Sequence, residues 1–265
     1  MASEGAAARG LGRGFPADRA ALVIYLMAGY PDRATSLAAL HAAARGGADV
    51  IELGVPYGNP LADGPTIAEA ATVAREGGFG LGESIALAAE FLAEAGPDAP
   101  PVALMTYLNP LMRMGPARAA AAMREAGVAG VIVPDMPPEA ARPWLAASGG
   151  IDTVFLAAPT STPERLATVG SASAGFVYCV STTGVTGERT GLPAELGELV
   201  ESVRAHTTLP VAVGFGVSGP GQAAAVAGIA DGVVVGSAVV RRQDDPLAVE
   251  EFVELLAGAV GSART

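Results

Sequence analysis

The chain has 265 residues, of which 51% are hydrophobic and 16% are charged, and its formal net charge at pH 7 is −11. This apolar content is sufficient for a substantial core, whereas the negative charge argues against binding to nucleic acid or to an anionic membrane surface. The single cysteine, Cys179, excludes an internal disulfide and fits a reducing compartment, so we predict a cytoplasmic protein.

All 16 basic residues are arginine, and the only histidines are His41 and His206. A chain without lysine can neither form a Schiff base with a carbonyl substrate nor anchor pyridoxal phosphate covalently. Two histidines in helix-like segments argue against a histidine-rich metal site, so we predict no metal. Acid–base chemistry in this chain must therefore depend mainly on carboxylates and tyrosines.

The amino-terminal segment, residues 1–19, is rich in Ala, Gly and Arg, and an apolar run over residues 20–28 follows it. A signal peptide has a similar composition. The run, however, contains strand-forming residues and ends at the turn sequence GYPDR, which favours a first buried strand. We therefore predict a flexible tail over residues 1–19 and a single domain over residues 20–265.

Short apolar runs alternate with Ala- and Leu-rich segments of helical period along the rest of the chain. Such runs are typical of parallel strands that are covered on both faces. The predicted strands are 22–27, 49–53, 102–107, 130–134, 152–157, 175–180, 210–215 and 232–237. The predicted helices begin near Asp32, Pro65, Ser84, Pro116, Pro138, Pro163, Ala194, Pro220 and Asp244.

Eight strands that alternate with helices over about 245 residues match the (β/α)8, or TIM, barrel in size and rhythm. A doubly wound open sheet is the alternative, but no Gly-x-Gly-x-x-Gly motif follows the first strand. We therefore predict an α/β protein with a single-domain TIM barrel and extra short helices in its βα loops. Its active site is expected where the strands end and these loops begin.

Two carboxylates stand out at such a position. Glu52 lies near the end of the second predicted strand, and Asp63 lies on the proline-rich loop that follows. Glu52 is either a core-edge carboxylate bound to backbone donors or a general acid–base group whose pKa is raised by desolvation. Asp63 is either the N-cap of the helix that opens at Pro65 or a group that takes part in the chemistry, and the two roles can coexist.

Two glycine-rich loops follow the seventh and eighth predicted strands, GFGVSGPG (214–221) and GSAVV (236–240). In TIM barrels, these loops and the N-terminus of a short extra helix form a phosphate site, because small residues let backbone N–H groups approach an anion. The predicted phosphate ligands here are Gly214, Phe215, Gly216, Gly236 and Ser237.

The segment STTGVTGERTGLP (181–193) follows the sixth predicted strand and is long and hydrophilic. It is either plain surface or a lid that excludes water when it closes. We favour the lid, with Thr186 and Gly187 near the phosphate.

Six motifs carry a resemblance to a known family: ELGVPY…PLADGP (52–65), LMTYLNP (104–110), VPDMPPE (133–139), GVTG (184–187), GFGVS (214–218) and GSAVV (236–240). Together, and in this order, they resemble the tryptophan synthase alpha-subunit family. That family consists of TIM barrels that cleave indole-3-glycerol phosphate to indole and glyceraldehyde 3-phosphate without a cofactor of their own. The resemblance implies that indole passes to a beta subunit, which carries pyridoxal phosphate, within an alpha2beta2 heterotetramer that makes L-tryptophan.

The resemblance also implies roles for individual residues. Glu52 would shuttle protons at the reacting carbon, and Asp63 would bind the indole N–H and stabilise the cationic ring. Tyr178 either positions Glu52 or is an aromatic residue of the barrel interior. The implied indole pocket, any member of which could instead be core, is Tyr25, Tyr107, Ile132 and Leu156. The implied contacts with the beta subunit are Gly58, Asn59, Pro60, Asn109 and Asp135, the last as a structural or contact residue.

One loop departs from the family pattern. The family usually reads Pro–aromatic–Ser–Asp–Pro where this chain has PYGNP (56–60), so that Gly58 and Asn59 replace the serine and the acid. The resemblance implies that this loop touches the beta subunit, so loss of the acid removes any ion pair there, although Asn59 can still form hydrogen bonds. Three alternatives follow: an alpha subunit, a free-standing indole-3-glycerol-phosphate lyase of a specialised pathway, or a non-catalytic activator of a beta subunit.

Overall fold

The structure is a computed structural model, and it describes residues 10–59, 63–180, 194–214 and 216–263. The described residues form nine strands, all of them paired in parallel. These are Ala21–Met27 (β1), Val50–Gly54 (β2), Val102–Met105 (β3), Gly130–Ile132 (β4), Asp152–Val154 (β5), Leu156–Ala157 (β6), Val177–Val180 (β7), Val211–Gly214 (β8) and Gly232–Val235 (β9).

The sheet closes on itself. Its strand order is β5-β4-β3-β2-β1-β9-β8-β7-β6, and the two edge strands are consecutive in the chain, with only Phe155 between them. β5 pairs with β4 and β6 pairs with β7, so the segment 152–157 joins both edges. The predicted fifth strand is thus interrupted at Phe155, whose N–H donates to Ser173 Oγ at 3.4 Å. Counted as one barrel position, this segment completes the eight positions of the predicted TIM barrel, which is confirmed.

Helices surround the barrel and follow its strands. They are Arg33–Arg45 (α1), Pro65–Glu76 (α2), Leu81–Ala95 (α3), Leu108–Met114 (α4), Pro116–Glu125 (α5), Arg142–Ser148 (α6), Pro163–Ala172 (α7), Ala194–Arg204 (α8), Pro220–Ala227 (α9), Ser237–Val240 (α10) and Pro246–Gly261 (α11). α4 and α10 are extra short helices in βα loops. In the described part of the chain, no helix is long and apolar enough to cross a membrane.

The helix starts follow from local sequence. Proline opens several helices at the first turn, where its missing N–H would have no intrahelical partner. Asp32 caps α1 by accepting from the Thr35 N–H at 2.9 Å. Two predicted starts were displaced. The helix expected near Ser84 begins at Leu81, and Pro138 opens a short 3-10 helix instead of an α-helix.

The amino-terminal end of the barrel is covered by a 3-10 helix over Leu11–Gly14. Leu11 is fully buried in the barrel interior, and its N–H donates to Asp152 Oδ2 at 2.8 Å. A Cβ atom on Gly130 would lie 2.3 Å from Leu11 Cδ1, so a glycine is needed where the leucine inserts. The flexible tail was predicted to span residues 1–19. Residues 10–19 of that range are described and include this 3-10 helix, and residues 1–9 lie outside the described residues. We propose that the barrel domain begins near residue 10.

Candidate active site

Glu52 is a buried carboxylate without a partner among the described residues. It lies on β2 between Tyr25 of β1 and Ala103 of β3, and it is 1% exposed. Among the described residues, neither carboxylate oxygen has a hydrogen-bond partner, which does not fit a carboxylate bound to backbone donors. Because burial without a partner disfavours the charged form, it raises the Glu52 pKa to about 8, and the negative charge of Asp63 contributes further. Glu52 therefore carries a proton at neutral pH.

Asp63 has a different environment. It is half-buried just before α2, and the N-cap position of that helix is occupied by Gly64, not by Asp63. The Tyr107 side chain forms a hydrogen bond with the Asp63 carboxylate. Burial raises the Asp63 pKa to about 6, and the bond with Tyr107 opposes that rise. At neutral pH one carboxyl group thus holds a proton while the other holds a charge, a pattern typical of acid–base sites.

Two tyrosine side chains lie over glycines at strand ends. A Cβ atom on Gly54 would lie 2.0 Å from the Tyr25 hydroxyl oxygen, and one on Gly214 would lie 2.2 Å from the Tyr178 hydroxyl oxygen. Each tyrosine therefore reaches across to the neighbouring strand only because that strand ends in glycine. Desolvation raises the pKa of both tyrosines well above 10, and the charges of the two carboxylates add to this rise. Both hydroxyls stay protonated.

The predicted indole-pocket residues belong to neighbouring apolar clusters. Ile132 is buried in the barrel-interior cluster, against which Leu156, Met105 and Tyr178 pack. Tyr25 belongs to the adjacent cluster, and Met105 packs against that cluster too. Met105, the last residue of β3, thus packs against both clusters and was not among the predicted pocket residues.

Tyr107 connects this apolar region to the loop after β2. Its ring stacks on that of Tyr57 with a centroid distance of 4.9 Å, and Asn109 Nδ2 donates to the Tyr57 hydroxyl at 3.3 Å. Asp135 Oδ1 accepts from the Leu108 N–H at 2.8 Å, so this acid holds the start of α4. These contacts bring three separate segments of sequence together.

Four predicted phosphate ligands are among the described residues and lie at the ends of β8 and β9: Gly214, Gly216, Gly236 and Ser237. Gly214 is the last residue of β8, Gly216 has a positive φ of 35°, and Ser237 is the first residue of α10. A Cβ atom on Gly236 would lie 3.7 Å from Tyr25 Cβ, so this corner borders the tyrosine next to Glu52. Phe215, Thr186, Gly187 and Pro60, which were predicted site residues, lie outside the described residues.

Both histidines interact within the helical layer. His41 Nε2 lies 2.9 Å from Glu94 Oε2, and His206 Nδ1 lies 2.8 Å from the Ser202 carbonyl oxygen. Over the described ranges, no group of three His, Cys, Asp or Glu side chains is arranged to hold a metal ion.

The raised pKa of Glu52 predicts how stability depends on pH. Between its ordinary value of 4.5 and about 8, the folded state holds a proton that the unfolded state has released. Stability is therefore lost as the pH rises through this window, by on the order of 5 kcal/mol at most. We expect Glu52→Gln to be stabilised relative to the parent protein at pH 9 and to differ much less at pH 5, as measured by urea unfolding. The exposed Glu254→Gln is the control, and an equal difference at both pH values would contradict the prediction.

Comparisons with known proteins identify the family of this chain. The family model described as tryptophan synthase alpha chain matches residues 15–256. The tryptophan synthase alpha chain of Mycobacterium avium is 48% identical over 230 residues, which cover 86% of this chain and 83% of that relative. The corresponding chain of Mycobacterium leprae is 47% identical over 232 residues, which cover 87% and 84%.

Solved structures give the same result. A chain in the structure of Mycobacterium tuberculosis tryptophan synthase superposes with a TM-score of 0.88 at 44% identity, covering 94% of this chain and 97% of that one. The alpha subunit of Legionella pneumophila tryptophan synthase gives 0.80 at 31% identity, covering 91% and 92%. The resemblance of the six motifs is thereby confirmed, and this chain belongs to the tryptophan synthase alpha chain family.

Proposed function

We propose that the chain cleaves indole-3-glycerol phosphate to indole and glyceraldehyde 3-phosphate, and that it passes the indole to a beta chain for L-tryptophan synthesis. The observation that carries this proposal is the carboxyl pair Glu52 and Asp63, one protonated and one charged at neutral pH. The reaction needs a proton donor at indole C3 and a negative charge near the indole nitrogen.

In this reaction, Glu52 delivers its proton to indole C3, and the ring becomes cationic at nitrogen. The Asp63 carboxylate accepts a hydrogen bond from the indole N–H and stabilises that cation. Glu52, now charged, removes the proton from the glycerol hydroxyl next to the bond that breaks. The carbon–carbon bond cleaves, its electron pair restores the aromatic indole, and the hydroxyl oxygen becomes the aldehyde oxygen. Glu52 ends the cycle protonated, as it began.

The neighbouring side chains have supporting roles in the proposal. The Tyr178 hydroxyl donates to the Glu52 carboxylate while it is charged, which its retained proton permits. Tyr25, Tyr107, Ile132 and Leu156 pack against the indole ring. The phosphate binds to backbone N–H groups around Gly216, Gly236 and Ser237, with the residues Gly214, Phe215, Thr186 and Gly187 nearby.

Gly236→Asp tests the phosphate site. The φ of Gly236 is −109°, and a Cβ atom there would meet neighbours only at 3.7 Å or more, so the fold accepts a side chain. An aspartate adds bulk and like charge, and we expect KM to rise by at least about tenfold. Gly236→Ala is the neutral control, for which KM should change by less than about threefold. An unchanged KM in the aspartate variant would mean that the phosphate binds elsewhere.

The proposed partner is a tryptophan synthase beta chain in an alpha2beta2 assembly in the cytoplasm. Its contacts would be Gly58, Asn59, Pro60, Asn109 and Asp135. Pyridoxal phosphate would belong to the beta chain, and this chain would need no cofactor of its own, in accord with its lack of lysine.

The absence of an acid at Asn59 favours one second candidate, a free-standing lyase of a specialised pathway. Steady-state indole release by the purified chain, with and without the beta chain of the same organism, separates the two. Slow release that rises steeply on addition of the beta chain supports the alpha-subunit function. Fast release that is indifferent to the beta chain supports the free-standing lyase. Absence of indole in both cases would overturn the catalytic proposal and leave only an activator role.

A further inference from the structure

A surface cleft of about 560 Å³ opens beside the loop that departs from the family pattern. Its lining includes residues 56–59 of that loop, the start of α3, and parts of α4 and α5. Three arginines, Arg75, Arg113 and Arg118, line it, and none of the described lining residues is an aspartate or a glutamate. We refer to this feature as the arginine cleft.

The three arginines lack partners within the described part of the chain. All three are exposed, and none forms an ion pair or a hydrogen bond with another described residue. Elsewhere, arginines commonly pair with acids: Arg19 with Asp49, Arg33 with Glu90, Arg45 with Glu250, Arg165 with Glu139, and Arg204 with Asp231. In a chain of net charge −11, this cleft is locally positive, because it is lined by three arginines without a described partner and by no described carboxylate.

Gly58 contributes to this reversal. A Cβ atom at Gly58 would lie 3.1 Å from both Cζ and Nη1 of Arg75, so the guanidinium lies directly against the glycine. The next residue, Asn59, also lines the cleft and carries no charge. The loop therefore leaves room for the arginine and does not neutralise it.

We propose that the arginine cleft binds an acidic segment of the beta chain. This inference rests on the proposed function, in which Gly58, Asn59 and Asn109 face that partner, and all three line the cleft. Guanidinium groups bind carboxylates through paired, charge-assisted hydrogen bonds. The three arginines come from three different helices, α2, α4 and α5, along an open cleft. This spread matches several carboxylates on an extended segment better than one small anion.

The affinity of the beta chain of the same organism for Arg113→Gln/Arg118→Gln tests the proposal. We expect Kd to rise by at least about fivefold at low salt, and the dependence of Kd on salt to become weaker, because rim charges govern both. Arg142→Gln is the matched control, since Arg142 is also exposed and without a partner among the described residues but does not line the cleft. Its Kd should stay within about twofold of the parent value.

A series of substitutions that differ in charge distinguishes an electrostatic effect on binding from a purely structural one. Arg113→Lys/Arg118→Lys should bind more tightly than the glutamine variant, and Arg113→Glu/Arg118→Glu should bind least. Hexaglutamate should compete with the beta chain, and inorganic phosphate at equal ionic strength should compete more weakly. Equal affinity across the series, stronger competition by phosphate, or no binding of the beta chain to the parent protein would overturn the inference. Indole release by the isolated parent chain reports on the catalytic proposal separately.

Discussion

Replacing Glu52 with Gln is expected to lower kcat for indole release by at least about 10³-fold, because the proposed mechanism uses this carboxyl group for both proton transfers. Glutamine has nearly the same shape but can neither deliver the proton to indole C3 nor remove one from the hydroxyl. Binding of indole-3-propanol phosphate, which lacks both glycerol hydroxyls and so cannot react, should change by less than about threefold, since the ring and phosphate contacts are retained. Single-turnover kinetics and equilibrium titration measure the two quantities.

Loss of the fold would not explain such a result. Glu52 is buried without a hydrogen-bond partner among the described residues, so the neutral glutamine should stabilise the protein at alkaline pH. A variant that is inactive, binds the analogue and unfolds at higher urea concentration would have lost only the proton transfer. If Glu52→Gln keeps more than about a tenth of the parent kcat, the assignment of Glu52 is wrong.

The second large effect is expected for Asp63→Asn, which should lower kcat by about 10²- to 10³-fold. Asparagine keeps hydrogen-bonding capacity toward Tyr107 but provides no negative charge to stabilise the cationic ring. The pH profile should change as well. In the parent protein, activity should fall below about pH 6 as Asp63 becomes protonated, and above about pH 8 as Glu52 loses its proton. The acidic limb should disappear in the asparagine variant.

Tyr107→Phe is the matched control for this experiment. It removes the hydrogen bond that lowers the Asp63 pKa but leaves the carboxylate in place. We therefore expect the acidic limb of its profile to move to higher pH, with a smaller loss of kcat at the optimum than in Asp63→Asn. Full activity of Asp63→Asn, or an unchanged acidic limb in that variant, would contradict the role proposed for Asp63.

Much of the architecture was predictable because it depends on local patterns. Buried parallel strands produce continuous apolar runs, and proline at the first turn marks helix starts. The sequence therefore predicts the alternation of strands and helices in the barrel. The interruption of the fifth strand was not predictable from the sequence, because DTVFLA is a single apolar run. Its two halves are separated only by their pairing, of β5 with β4 and of β6 with β7. The burial of Leu11 was missed for a similar reason, because its partners Asp152 and Gly130 are distant in sequence.

The same division applies to the candidate site. The sequence alone predicted that Glu52 lies near a strand end and that Asp63 and two glycine-rich loops follow strand ends, since the parallel strands of a barrel all end at the same face. Only the tertiary structure decided that Glu52 lacks a partner among the described residues and that Tyr107 binds Asp63, because both depend on which side chains surround a carboxylate in space. The arginine cleft is the clearest case. Arg75, Arg113 and Arg118 are too far apart along the chain for any local pattern to connect them, and the packing of their helices around one loop brings their charges together.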